Sequence, residues 1–245
     1  MELRHFATDR YPLHCSQLPA FMLCPWSHVM KFLQVHQRDV GSAAHTGSAT
    51  HKAVSKWHQN GKEVKKALAA MKDAQAEYPL ADFLEAERLF LAYTNDPRNQ
   101  EAQVVHAEYL FHGEISKGIT LEGTCDQIRE EDQTWKVWDL KTSRLAGPAI
   151  RDQHLYQVCA YAVLASKRFR REVHPGGIVM VRGYDLKGDK VWYPYDHSLA
   201  DARFLMDAVA ARVRDIRAGR IHAIPGDHCG YCIGTHTCLD KLQHL

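Results

Sequence analysis

Two aspartates and a lysine in the middle of the chain have the types and spacing of a hydrolytic metal site. The stretch from Gly123 to Ser143 puts Asp126 in one strand-like run and Asp139 in the next, with Lys141 two residues beyond Asp139. Residues two apart on a strand share a face, so Asp139 and Lys141 point the same way. Two antiparallel strands bring Asp126 and Asp139 side by side, and close carboxylates repel unless a cation sits between them. Such oxygen ligands suit hard divalent ions, Mg²⁺ or Mn²⁺. A lysine beside a water on that ion orients it or steadies charge on an attacked phosphate, which is the chemistry of phosphodiester hydrolysis. Asp-x-Lys alone is frequent by chance. What singles out this copy is its place after Val137-Trp138, in an apolar run where an unpaired acid would be costly to bury.

A second constellation lies near the C-terminus. Cys229-Gly-Tyr-Cys232-Ile-Gly-Thr-His-Thr-Cys238 gives a C-x₂-C-x₅-C spacing, with glycines that allow the chain to wrap a metal centre. Cys24 is the long-range candidate for a fourth ligand and Cys15 its competitor. His222, His228 or His236 would instead complete a zinc site, and spacing scarcely separates zinc from an iron–sulfur cluster. Seven cysteines in a chain whose first residues lack the apolar stretch of an export signal argue against disulfides.

The elements that must position these groups follow from periodicity and punctuation. Apolar spacing predicts a helix over 16–38 with Ser16 as its N-cap, then helices at about 48–59, 62–77 and 81–94, stopped or punctuated by Asn60-Gly61, Pro79 and Pro97. Residues 103–111, 119–129 and 134–140 read as a meander of strands, with turns at Gly113 and the acidic stretch Glu130-Glu131-Asp132. A helix at 150–170, strands at 177–184 and 190–195, and an amphipathic helix at 199–218 complete the pattern. This order predicts an α/β sandwich: a central mixed sheet flanked by helices. It is organised as one domain over 1–245, with a helical part (16–97), a core (102–220) and a cysteine-rich tail (221–245).

The chain has 245 residues and a net charge of only +2, so any nucleic-acid face must come from local basic clusters. Candidates are Lys167-Arg168-Phe-Arg170-Arg171 and the arginines 212, 214, 217 and 220; a solvated helix end or face is as good a reading of each. Trp26, Trp57 and Tyr161 are of a type that stacks on bases, although core packing suits the tryptophans better. No apolar run approaches the length of a membrane span, so a cytoplasmic protein is expected.

Several further pieces bring a family into view. Gly47-Ser-Ala-Thr-His51 has the form Gly-x-x-x-His, Gln157-Val-Cys-Ala-Tyr161 has the form Gln-x-x-x-Tyr on the helix after the lysine strand, and Thr142-Ser143 follows Lys141 directly. Together with Asp126 and Asp139-x-Lys141 they resemble the RecB-like branch of the PD-(D/E)XK nucleases. Ser16-Gln-Leu18, Cys24-Pro25 and Ile224-Pro225 extend the resemblance to the CRISPR-associated adaptation exonucleases and AddB-type nuclease domains. The resemblance runs from about 16 to 238 and is least informative over 60–100. It implies a PD-(D/E)XK-like core with Mg²⁺ or Mn²⁺ on His51, Asp126, Asp139 and the carbonyl of Leu140. It implies Lys141 as catalytic, and Gln157 and Tyr161 as groups that hold the active site and DNA. It also implies a structural [4Fe–4S] cluster on Cys24, Cys229, Cys232 and Cys238 that staples the chain ends.

The expected activity is therefore a metal-dependent deoxyribonuclease, an exonuclease on single-stranded DNA with some endonuclease action, working with recombination, CRISPR-adaptation or phage proteins. A non-catalytic DNA-binding scaffold of the same fold, or the nuclease with zinc in place of the cluster, are the alternatives. The Asp139 side chain is one methylene shorter than the commoner glutamate at that motif position, and Cys125 beside Asp126 is expected to be a small buried residue. The chain has no phosphate-binding G-x-x-x-x-G-K-[ST] loop, so a helicase motor would be another polypeptide.

Overall fold

The computed structural model describes residues 2–34, 41–143, 148–185 and 191–221, together with 223, 224, 226 and 229. Six strands form one mixed sheet: β1 (Leu13–His14), β2 (Gln103–Ser116), β3 (Ile119–Glu131), β4 (Thr134–Lys141), β5 (Val173–Met180) and β6 (Trp192–Pro194). β2, β3 and β4 are the antiparallel meander; β5 lies parallel to β4, and β6 runs antiparallel to β5. Beyond the end of β4, β1 pairs in parallel with β3 at Leu121 and Glu122.

The turns fall where the backbone tolerates left-handed conformations. Gly118 has φ +68 at the first hairpin, and Asp132 and Gln133 have φ +50 and +63 at the second. Two consecutive positive-φ residues give a turn whose twist matches that of the flanking strands. The turn expected at Gly113 is not there. Gly113 stays in β2 opposite Leu121, so the hairpin is longer and its tip lies at Lys117-Gly118.

The helices are α1 (Leu18–Leu23), α2 (Pro25–Gln34), α3 (Ser42–Gln59), α4 (Val64–Asp73), α5 (Phe83–Thr94), α6 (Pro97–Glu101), α7 (Pro148–Phe169) and α8 (Leu199–Arg217). The helix expected over 16–38 is broken at Cys24, which is extended (φ −148, ψ 100) because the following Pro25 disfavours helical geometry in the residue before it. Ser16 does not cap it; its hydroxyl meets His14 Nδ1 at 2.7 Å and Gln17 occupies the cap position. The second helix starts at Ser42, six residues before the expected position. Pro97 opens α6 behind the Asp96 cap, a first-turn position where a missing N–H costs nothing. The strand expected over 177–184 begins at Val173 and gives way to a 3-10 turn, Val181–Asp185.

Two cores cover the two sheet faces. α1, α7 and α8 pack one face through Phe21, Tyr161, Val209 and Val213, and α3, α4 and α5 pack the other through Trp57, Met71, Phe90 and Tyr93. The alternation of β4 feeds both: Val137 enters the first core, Trp138 and Leu140 the second. Among the described residues no helix is long and apolar enough to cross a membrane.

Candidate active site

The site forms where α3 crosses the C-terminal end of β4. Gly47 makes that crossing close: a Cβ there would lie 2.6 Å from Thr142 Oγ1, well inside contact distance. One helical turn further on, His51 comes down over β3, with Nδ1 3.0 Å from Asp126 Oδ1. The Leu140 N–H donates to Asp126 Oδ2 at 2.6 Å, which fixes the carboxylate against β4. The spacing Gly-x-x-x-His thus has a steric cause: small residue at the crossing, ligand-type residue one turn beyond it.

On the adjoining strand Asp139 is 1% exposed. Its Oδ2 lies 2.7 Å from Lys141 Nζ, and its Oδ1 accepts from Gln157 Nε2 at 2.9 Å. Lys141 also donates to Gln157 Oε1 at 3.2 Å, so the Gln157 amide clips the aspartate and the lysine together from α7. Six of the residues singled out from the sequence therefore meet: His51, Asp126, Asp139, Leu140, Lys141 and Gln157.

Tyr161, one turn beyond Gln157, is enclosed at 1% exposure. Its hydroxyl is seated under Gly123 (φ +155), where a Cβ would come within 2.8 Å of Tyr161 Oη and 3.2 Å of Cys15 Cβ. Tyr161 supports β3 beneath the site and does not line the cleft.

Glu108 is the site residue that the sequence reading missed. It sits in β2 between the pairs Ala107–Gln127 and Tyr109–Cys125, opposite Asp126, with a left-handed φ of +51 that a non-glycine residue rarely adopts in a strand. Strain of this kind, about 1–3 kcal/mol, persists where surrounding structure imposes it and clusters at functional sites. The Glu108 carboxylate lies 3.8 Å from His51 Nδ1. Donor atoms of His51, Glu108 and Asp126 all fall within 4.8 Å of one another, the only such trio of metal-ligand types among the described residues.

The electrostatics describe a site strained by its own acids. Burial, and then the charge of Asp126, push Glu108 up to about 7. Burial likewise raises Asp139 to about 6, against the pull of Lys141. For Asp126 burial acts upward too, but His51, Lys141 and the Leu140 N–H outweigh it and hold the carboxyl below its usual range. Burial would depress His51, and Asp126 and Glu108 reverse this, taking it to about 9. Facing carboxylates with a histidine nitrogen between them fit a divalent cation by donor type and by charge.

A cleft of about 940 Å³ opens over these groups, lined by His51, Glu108, Asp126 and Lys141 with hydroxyls from Ser16, Ser48, Thr142 and Ser143 among others. The two basic clusters seen in the sequence do not reach it. Lys167 donates to the carbonyl of Glu114, Arg168 to the Tyr109 hydroxyl, and Arg171 to the carbonyl of Gln133 while lying over Trp135. Arg212 donates to the carbonyl of Met22, Arg217 to those of Phe6, Ala7 and Gly118, and Arg220 pairs with Asp215. Apart from Arg220, whose partner lies five residues back in α8, these side chains tie elements together, each ending beside a carbonyl or phenol of a neighbouring segment. Trp57 is 3% exposed in the second core.

Of the four cysteines assigned to a cluster, Cys24 is buried at the end of α1, and Cys229 Sγ accepts from the Gly226 N–H at 3.4 Å. Cys232 and Cys238 lie outside the described residues. Cys125 is buried, as expected.

An α/β sandwich that brings Glu108, Asp126 and Lys141 of its sheet and His51 of α3 to one cleft has the parts of a phosphodiester-hydrolysing enzyme. The chain belongs to the PD-(D/E)XK nuclease superfamily, whose family model matches residues 12–238. A solved structure titled "Crystal structure of SSO0001" is similar at 18% identity and a TM-score of 0.36, over 77% of this chain and 84% of that one. No curated protein matches the chain.

Proposed function

We propose that this nuclease is a Mg²⁺- or Mn²⁺-dependent deoxyribonuclease, acting as an exonuclease on single-stranded DNA. The observation that carries the reading is the convergence of His51, Glu108 and Asp126 within 4.8 Å, beside the Asp139–Lys141–Gln157 clip. His51, Asp126 and Glu108 would hold the ion, with Asp139 and the Leu140 carbonyl on the β4 side. When bound, the ion supplies an acidified water and neutralises charge at the attacked phosphate. Lys141, steadied by Gln157, places its ammonium at the phosphate and stabilises charge as it develops. Gln157 keeps Asp139 and Lys141 at fixed separation, and the buried Tyr161 keeps β3 from shifting beneath Asp126.

The cluster reading is part of the same proposal: Cys24, Cys229, Cys232 and Cys238 hold a structural [4Fe–4S] group. It is supported by the approach of α8 to the segment that carries Cys24. α2 packs on α8, and Arg212 of α8 donates to the carbonyl of Met22, two residues before Cys24.

One anaerobic preparation tests both halves, by absorption spectrum, iron and zinc content, and cleavage of single- and double-stranded oligonucleotides with and without Mn²⁺. The expected result is a brown protein with about four irons per chain and a broad band near ~400 nm. It should cut single strands from an end only with the metal, and Asp126→Asn and Lys141→Ala should fold and lose at least about 100-fold in rate. One zinc and no colour would end the cluster reading alone. Folded variants that cut normally would end the site assignment.

A further inference from the structure

Arg182 differs from the other described arginines in what it faces. It sits on the 3-10 turn after β5, 15% exposed, and lines the cleft beside Lys141 and Thr142. Its Nε donates to the Thr142 carbonyl at 3.0 Å and its Nη1 to the Glu85 carboxylate of α5. Its Nη2 has no hydrogen bond to a described residue, which leaves that nitrogen for a further acceptor in the cleft. By contrast Arg129 is spent inside the second core on Tyr93, Asn99 and Gln127.

The Thr142 bond ties Arg182 to the residue after Lys141, so its position is coupled to the strand that carries the lysine. A guanidinium held at Nε and Nη1 still presents the two N–H groups of Nη2, and a charge-assisted bond from them suits a phosphate oxygen. Glu85, 24% exposed and itself lining the cleft, is the anion beside it in the free protein, and its hydrogen bond from Arg182 holds the carboxyl below the usual range.

We propose that Arg182 binds a backbone phosphate of the DNA next to the cleaved bond, and that Glu85 keeps the guanidinium aimed while competing with that phosphate for it. This rests on the nuclease reading above and names a substrate contact within it. The two residues then act on DNA with opposite signs. Losing Arg182 removes a phosphate contact; neutralising Glu85 removes a competing negative charge and leaves the arginine in place.

The test is binding of a fluorescent oligothymidylate to the Lys141→Ala protein with Mn²⁺, titrated across a range of KCl concentrations. Arg182→Gln, which retains a donor for the Thr142 carbonyl, should weaken binding roughly tenfold and reduce the salt slope by about 0.7, the value for one phosphate on a single strand. Arg182→Lys should keep the slope, and Glu85→Gln should bind more tightly than the parent with its slope intact. If Glu85→Gln weakened binding as much as Arg182→Gln, the pair would be a structural tie and the proposal wrong. Unchanged affinity and slope in Arg182→Gln would also overturn it. A parent protein that binds no DNA, alongside wild type that never cuts, would instead sink the nuclease reading.

Discussion

Replacing Gly47 with alanine tests whether the α3–β4 crossing sets the geometry of the site. The added Cβ would stand 2.6 Å from Thr142 Oγ1, and reaching the near edge of ordinary contact at 3.4 Å requires a displacement of about 0.8 Å. α3 is an 18-residue helix, so a shift at Gly47 is carried to His51 one turn away, opening its 3.0 Å contact with Asp126. Misplacement of a reacting group by ~1 Å costs on the order of 100-fold in rate, or about 2.7 kcal/mol of transition-state stabilisation. Stability should not fall in step, because alanine is favoured over glycine within a helix by ~1 kcal/mol. Removing the obstacle should restore activity: with Thr142→Ala added, the nearest remaining Thr142 atom is its Cβ, at 3.8 Å. The assay is the Mn²⁺-dependent cleavage rate of an end-labelled single strand, with a thermal melt of each variant. Gly47→Ala should lose about 100-fold with little change in melting temperature, and Gly47→Ala/Thr142→Ala should recover to within a few-fold of Thr142→Ala alone. A Gly47→Ala enzyme at full rate, or a double variant no faster than the single, would refute the steric reasoning.

Glu108→Gln keeps the side chain's shape and removes its charge, so two opposite effects are expected. The metal-free protein should melt higher, since Glu108 no longer faces the charge of Asp126, and Mn²⁺ affinity should fall about tenfold or more, so that the ion raises the melting temperature less than in wild type. Paired melts in EDTA and in Mn²⁺ give both signs; equal shifts in both media would remove Glu108 from the ligand set. His58 gives a separate pH dependence. Its Nε2 lies 2.9 Å from Tyr93 Oη, and burial, then Arg129 and Lys62, take its pKa down to about 3. The folded state keeps it neutral while the unfolded chain protonates it below ~6.5, so stability present above that pH is lost as the pH falls toward 3, by at most ~1.4 kcal/mol per unit. Urea midpoints at pH 7 and pH 5 should therefore drop less in His58→Gln than in wild type, and parallel drops would show the assignment to be wrong.

What the sequence made legible about the site is what depends on spacing within one element. Asp139 and Lys141 share a face by strand alternation, and Gly47 and His51, like Gln157 and Tyr161, are one helical turn apart, so their relations survive errors in where an element begins. α3 starts six residues before its expected position without disturbing Gly47 and His51. Glu108 depends instead on register between strands, which a misplaced turn destroys. A turn at Gly113 would have paired the expected strands 103–111 and 119–129 so that Glu108 fell near Glu122. The actual turn at Lys117-Gly118 sets it opposite Asp126. The two readings of the basic clusters could not be separated from the sequence for a related reason. A run of arginines reports charge, but whether each guanidinium meets a phosphate or a carbonyl depends on which segments fold against it. Arg217 meets three carbonyls from the N-terminal segment and the β2–β3 turn, more than 90 residues away in sequence. Arg182, isolated in the sequence and without a motif around it, is brought to the cleft wall by the end of β5. The aspartates, histidine and lysine proposed for hydrolysis could thus be read from local pattern, whereas Glu108 and the arginine proposed to meet the substrate depended on contacts between distant segments.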